Sequence, residues 1–281
     1  MVNRLARRLE LKTHGELQAM RAAGVILARA IEAMRAAVVP GMTTADVDAI
    51  AAQVITDAGA ISNFMGYHGF PATICASVNE EIVHGIPSAT RVLQDGDLLS
   101  IDCGCILDGW HSDSAISLHV GQAPSMDEVD LIRAANDSMW AGIAAAKADG
   151  KMGAITSAIE ASVHKSAAND GRRYGEVVGY GGHGIGRAMH MDPFVPNFGR
   201  QGKGLRLPAG AALAIEPMLT LGTGASRELA DGWTVITKDG SRAAHVEHSL
   251  ALLEEGVCVL SAVDGGVAGL APYGVTPVSL D

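Results

Sequence analysis

The run LLSIDCGCILDGWHSD, residues 98–113, constrains this chain more than any other stretch. It reads as buried strand, yet it carries Asp102 and, past a turn, Asp113. A carboxylate inside an apolar strand costs several kcal/mol unless an opposite charge meets it. Asp108-Gly109 is a two-residue hairpin signal, so the run predicts two antiparallel strands. Pairing about that turn sets Asp113 opposite Gly104. Asp102 is two residues from Gly104, shares its face, and lies diagonally from Asp113 at ~7–8 Å between backbones. Carboxylates so placed can point into one pocket. They repel unless cations meet them or one keeps its proton. The plainer alternative is one surface aspartate and one turn aspartate; the hairpin geometry favours the pocket. His111 lies on the same face, nearer the turn, as a further ligand or a supporting histidine.

Composition narrows what such a pocket serves. The chain has 281 residues, enough for one large domain or two small ones, and 48% of it is hydrophobic. Its net charge of −10 argues against broad phosphate-backbone binding and suits a metal ion or a peptide amine better. No apolar run reaches the ~18 residues of a membrane span. The richest candidate, AGVILARAIEAM, is broken by Arg29 and Glu32. The basic N-terminus MVNRLARRLELK lacks the apolar centre of a signal peptide. A frayed terminus is the favoured reading, with a short organellar presequence as the alternative. Cys75, Cys103, Cys105 and Cys258 form no CxxC pair, so neither a zinc knuckle nor a redox motif is indicated. A reducing, cytoplasmic setting fits them. Cys103, Cys105 and Cys258 read as small apolar filler.

Capping signals predict four helices. Thr13 with Glu16 opens one to about Ala37, before Pro40-Gly41. A second starts near Thr43 or Thr44 and ends near Gly59. Ser125 with Glu128 opens a third to about Ala148, and a fourth runs from Met152 to Ala168, closed by Gly171. Strand-rich stretches follow each pair, at 73–120 and 174–260. Ala45, Ala49, Ile50, Ala52 and Val54 match Ala154, Ala158, Ile159, Ala161 and Val163 at one offset. The order helix, helix, strands thus occurs twice, which predicts a pseudo-duplicated α+β domain with a site between its halves. No linker divides the chain, so a single domain over 1–281 is expected, with its core at about 13–260. The stretch GGVAGLAPYGVTPVSLD reads as an irregular tail.

More ligand-type residues follow in apolar or glycine-rich settings. GYGGHGIGRAMHMDP carries His183 and His190. AALAIEPM sets Glu216 at the end of an apolar strand. In AAHVEHSLALL, His245, Glu247 and Ser249 alternate against Val246 and Leu250. His84 precedes a Gly-Ile-Pro turn. GYGGHG also fits GxGxxG, but Pro193 and Pro196 block a following helix and no acid lies between Asp192 and Glu216 to hold a ribose. Four carboxylates and one histidine suit two divalent ions, which bridging carboxylates hold ~3.5–4 Å apart. Such ligation favours manganese, iron or cobalt over a thiolate zinc site.

These segments resemble the type I methionine aminopeptidases. GYHGFPATICASVNEEIVHGIP, IDCGCILDGWHSD, GHGIG, IEPM and WTVITKDGSRAAHVEH carry the resemblance, which runs from about residue 13 to 260. It implies the pita-bread fold, two pseudo-symmetric α+β halves around a dinuclear metal site. It implies Asp102, Asp113, His183, Glu216 and Glu247 as metal ligands, with Asp113 and Glu247 bridging. His84 and His190 would be catalytic histidines outside the ligand set. Tyr67, Phe70, Cys75 and Trp233 would form the methionine pocket, with Phe64 and Met189 at its edge. Many relatives have Tyr at the Phe70 position, Cys at Phe64 and Phe at Met189, so pocket shape is where this chain departs. Glu216 and Glu247 are too close for the helical insertion of the type II class.

The mechanism implied is attack by a metal-bridging water on the carbonyl after the first residue. Glu216 would be the general base, His190 would bond the carbonyl oxygen, and His84 would serve the scissile nitrogen. The expected substrate is a peptide or nascent-chain N-terminus with a small second residue. The ribosome is a candidate partner; no nucleic-acid specificity, no membrane and a monomer are expected. The rivals are a prolidase or aminopeptidase P, separable on Xaa-Pro peptides, and a catalytically dead binding protein on the same fold, separable by metal content.

Overall fold

Thr13 and Glu16 cap each other at the start of the first helix. The Glu16 amide donates to Thr13 Oγ1 at 3.3 Å and the Thr13 amide to Glu16 Oε2 at 2.8 Å. Helix α1, His14–Ala37, follows. Thr43 and Asp46 repeat the device before α2, Thr44–Asp57. Ser125 caps α3, Met126–Ala145. Helix α4, Met152–Asp170, ends at Gly171 in the left-handed region. The four helices are those expected; α2 and α3 stop two to three residues early, and α4 runs two residues beyond Ala168. The chain is described here, from a computed structural model, at residues 9–122 and 125–280. Most of the basic N-terminal stretch lies outside the described residues.

The helices flank a nine-stranded antiparallel sheet. Along it lie Ile61–Ser62, Leu98–Leu107, Trp110–His119, Glu247–Leu253, Ala212–Ile215, Gly182–Gly184 and Met191–Val195. Ile74–Val78 pairs with the Leu98 strand and Gly256–Val259 with the Glu247 strand. The Asp108-Gly109 turn has both residues at positive φ, 50° and 78°, as a type I′ hairpin requires. It joins Leu98–Leu107 to Trp110–His119 in the expected register, with Gly104 opposite Asp113.

Two separate cores match the duplicated order. Leu27, Met34, Val47 and Ile55 of α1 and α2 pack on Ile74, Leu99 and Ile101. Leu131, Met139, Ile155 and Val163 of α3 and α4 pack on Leu213, Ile215, Leu250 and Leu252. Helices α3 and α4 pack on the second half of the sheet and α2 on the first, whereas α1 also reaches across, with Leu17 and Met20 packed against Ile185, Ala212 and Leu260. The halves meet where the Trp110–His119 strand pairs with the Glu247–Leu253 strand. That seam has only two ladder pairs, Glu247 with Ala115 and His248 with Ser114.

The C-terminal stretch departs from the expectation of an irregular tail. It carries a turn of helix, α5 (Val267–Leu270), and a 3-10 turn, Ala271–Tyr273. Leu270 and Leu280 are buried. Asp264 accepts from the amides of Gly266 and Ala268 and so starts the turn. Four residues are too few to show a helical period in sequence.

Candidate metal centre

Strand alternation and the seam put the carboxylates on one face. Asp102 and Glu247 both sit opposite Ala115, one on each side of it. Asp113 is two residues from Ala115 and shares its face. Glu216 follows directly on the Ala212–Ile215 strand, and His183 lies in Gly182–Gly184.

Serines hold the seam where the ladder is short. Ser249 Oγ donates to the Asp113 carbonyl at 2.7 Å and accepts from its amide at 3.1 Å. Ser114 Oγ donates to the Glu247 carbonyl at 2.8 Å. Ser117 Oγ donates to the His245 carbonyl at 2.8 Å and accepts from the His245 amide at 3.0 Å. The backbones that carry the carboxylates are therefore fixed from both halves.

The metal-ligand, catalytic and pocket residues that the resemblance implies all line one cavity of about 100 Å³. Asp102, Asp113, His183, Glu216 and Glu247 form its floor; His84 and His190 stand beside it. Phe64, Phe70, Cys75 and Met189 make a small apolar cluster of their own, with Tyr67 and Trp233 packed against it. The Phe70 and Trp233 rings meet edge-on, 5.0 Å between centroids. The aromatic group thus forms a core cluster and a pocket wall at once. His111 has the expected position on the hairpin but is not among the cavity-lining residues. His245 also lines the cavity, outside the five-ligand set that the resemblance implies. The sequence cue for it was the alternation that places it on the Glu247 face.

The electrostatics ask for cations. Burial pushes the Asp102 carboxyl up to about 7 and the Glu216 carboxyl up to about 8. Burial and then the neighbouring carboxylates hold Asp113 and Glu247 well above the ordinary range. Asp102 Oδ1, Asp113 Oδ1 and Glu247 Oε1 are buried without a hydrogen-bond partner. Donor atoms of Asp113, His183 and Glu247 lie within 4.8 Å of one another. His183 Nδ1 faces the Gly184 carbonyl at 3.0 Å. Donation there keeps the proton on Nδ1 and leaves the Nε2 lone pair for a metal. Burial pushes the His183 imidazole down to about 3, which keeps it neutral. The donor set fits divalent ions.

His84 is held at φ 62°, a conformation uncommon outside glycine and frequent at functional positions. Burial, then His245 and His190, push its imidazole down to about 4. His190 is exposed at the cavity rim, with Nδ1 2.9 Å from Tyr67 Oη.

A buried carboxylate–imidazole cluster at the seam of two α+β halves defines a metallopeptidase of the pita-bread fold. The chain belongs to the metallopeptidase family M24, which it matches over residues 18–254. It is 52% identical over 250 residues to methionine aminopeptidase 1 of Mycobacterium tuberculosis, covering 89% of this chain and 94% of that protein. The crystal structure of methionine aminopeptidase from Rickettsia prowazekii is similar with a TM-score of 0.86 at 34% identity, covering 90% of this chain and 100% of that one. An Xaa-Pro dipeptidase from Bacillus anthracis, at 20% identity and a TM-score of 0.70, shares the fold over 62% of its own length.

Proposed function

We propose that the protein removes the N-terminal methionine from peptides and nascent proteins, with preference for a small second residue. The observation that carries this reading is the single cavity that joins an aromatic, thioether-lined pocket to the carboxylate floor. The similarity to methionine aminopeptidases supports it. Asp102, Asp113, His183, Glu216 and Glu247 would hold two divalent ions of the cobalt, manganese or iron kind. When bound, such ions polarise a carbonyl and acidify water.

The residues of the chain supply the rest. Glu216, a carboxylate at the edge of the metal centre, accepts a proton from the attacking water. Tyr67 Oη lies 2.9 Å from His190 Nδ1; in the tautomer with Nδ1 as acceptor, Nε2–H is the donor toward the carbonyl oxygen as it gains charge. His84, neutral in its site, serves the scissile nitrogen. The Phe64, Phe70 and Met189 walls take an unbranched thioether side chain, whose sulfur contacts aromatic edges favourably. The described residues include no helix long and apolar enough to cross a membrane. A cytoplasmic monomer that meets new chains at the ribosome accords with this reading.

Substrate selectivity tests it. Met-Ala peptides should be cleaved well and Leu-Ala peptides at least roughly tenfold less efficiently, with norleucine between. Xaa-Pro peptides should not be turned over. Comparable kcat/KM for Met, Leu and Phe would make the protein a broad aminopeptidase.

A further inference from the structure

His245 has the burial and position of a ligand rather than of a packing residue. It is 1% exposed, and neither ring nitrogen has a hydrogen-bond partner among the described residues. An imidazole left so is costly, because both its polar atoms have given up water. Its own amide and carbonyl are both held by Ser117 Oγ. The ring is buried and lines the cavity. Nε2 lies 3.5 Å from Glu216 Oε2.

Glu216 makes the comparison sharp. Its other oxygen, Oε1, lies at the same 3.5 Å from His183 Nε2. One carboxylate is flanked by two imidazoles at matched distances. Both separations exceed the ~2.7–3.2 Å of an N–H···O bond. Two ligands of one ion, each at ~2.0–2.2 Å and spread by a right or tetrahedral angle, stand about 3.0–3.5 Å apart. The donor atoms of Glu216, His245 and Glu247 also lie within 4.8 Å of one another, as do those of Asp113, His183 and Glu247. Glu247 belongs to both groups.

We infer that His245 is a metal ligand through Nε2, beside Glu216 and Glu247, so that six side chains of this chain hold the centre rather than five. The inference rests on the metal-centre reading above and adds one donor to it. Each of the two donor groups then contains one imidazole. A second neutral nitrogen leaves the charge balance of the four carboxylates unchanged. It moves the site toward borderline ions such as cobalt, iron and zinc, and away from magnesium and calcium.

Cobalt(II) is the probe. The full-length protein is stripped with a chelator and reloaded with cobalt alone. Proton spectra are taken in H₂O and D₂O for wild type, His245→Gln and His183→Gln, with binding followed by calorimetry. Each ligating imidazole gives one far-shifted exchangeable N–H resonance. The expected result is two in wild type and one in each variant, with cobalt affinity down at least roughly tenfold in His245→Gln. One resonance in wild type, kept in His245→Gln and lost in His183→Gln, overturns the inference and leaves the metal centre standing. Failure of wild type to take up cobalt overturns the metal-centre reading itself, and this inference with it. The wild-type resonance count decides even if a variant does not fold.

Discussion

At the residue scale, the hydrogen bond between Tyr67 and His190 carries a specific expectation. Tyr67→Phe keeps the ring in the pocket wall and removes only the hydroxyl. His190 then loses the bond that selects its tautomer. A neutral hydrogen bond is worth about 1 kcal/mol, so kcat should fall by roughly fivefold, with KM for a Met-Ala peptide little changed. A rise in KM at constant kcat would instead assign Tyr67 to side-chain binding alone. His84→Ala should keep full metal content while turnover falls by roughly 10²–10⁴, the range for a group that handles protons. Metal loss measured by atomic absorption would count against that role. The aspartates were legible in the sequence because Asp108-Gly109 fixes a local register, and the structure reproduces the Gly104–Asp113 pair. Glu216, His183 and Glu247 were legible only as residue types in unusual settings. Their convergence depends on strands far apart in the chain, and the family resemblance supplied the grouping. His245 shows the limit: alternation put it on the right face, but the matched distances to Glu216 exist only in three dimensions.

At the scale of elements, the helices were legible from their caps, since Thr13–Glu16 and Thr43–Asp46 are interactions across one turn. Short strands such as Gly182–Gly184 and Met218–Thr220 have too few residues to show a period. Packing of α1 against the C-terminal segment was not legible either. Arg21 donates to the carbonyls of Leu260 and Val263, and Gly24 lies directly against Leu260. A Cβ at Gly24 would sit 2.0 Å from the Leu260 carbonyl oxygen, backbone against backbone. Helix propensity alone makes Gly→Ala favourable by about 1 kcal/mol. Here overpacking should win, and Gly24→Ala should destabilise the protein by ~1–3 kcal/mol in urea unfolding. A stabilised variant would mean that α1 moves freely on that segment.

At the scale of the whole molecule, the buried cluster makes stability depend on pH and metal together. In the metal-free protein, burial raises Asp102 to about 7 and Glu216 to about 8, against about 4 in an unfolded chain. The folded state then holds more protons than the unfolded one between those values, so stability falls as pH rises. His84 and His183, lowered to about 4 and about 3, act in the opposite sense below about 6.5. Above 6.5 only the carboxylate trend of this set remains. The Tm of chelated protein should therefore fall from pH 6.5 to 8 in scanning calorimetry. Cobalt or manganese should raise it more at pH 8 than at 6.5, since ligands must shed protons to bind. A Tm that ignores metal at both pH values would count against the buried centre.

The seam has a further consequence, in time rather than in space. The amide of His245 donates to Ser100 Oγ across 145 positions of sequence, and Glu247 meets Ala115 across the same divide. A chain made from its N-terminus exposes the Asp102–Asp113 hairpin long before the strand that completes the centre exists. Contacts so distant are made late and slowly. Until Leu253 has left the ribosome, the strand that joins the two halves is missing and the centre lacks Glu247. Activity in a translating extract should thus appear as a step near chain completion, not as a gradual rise with length.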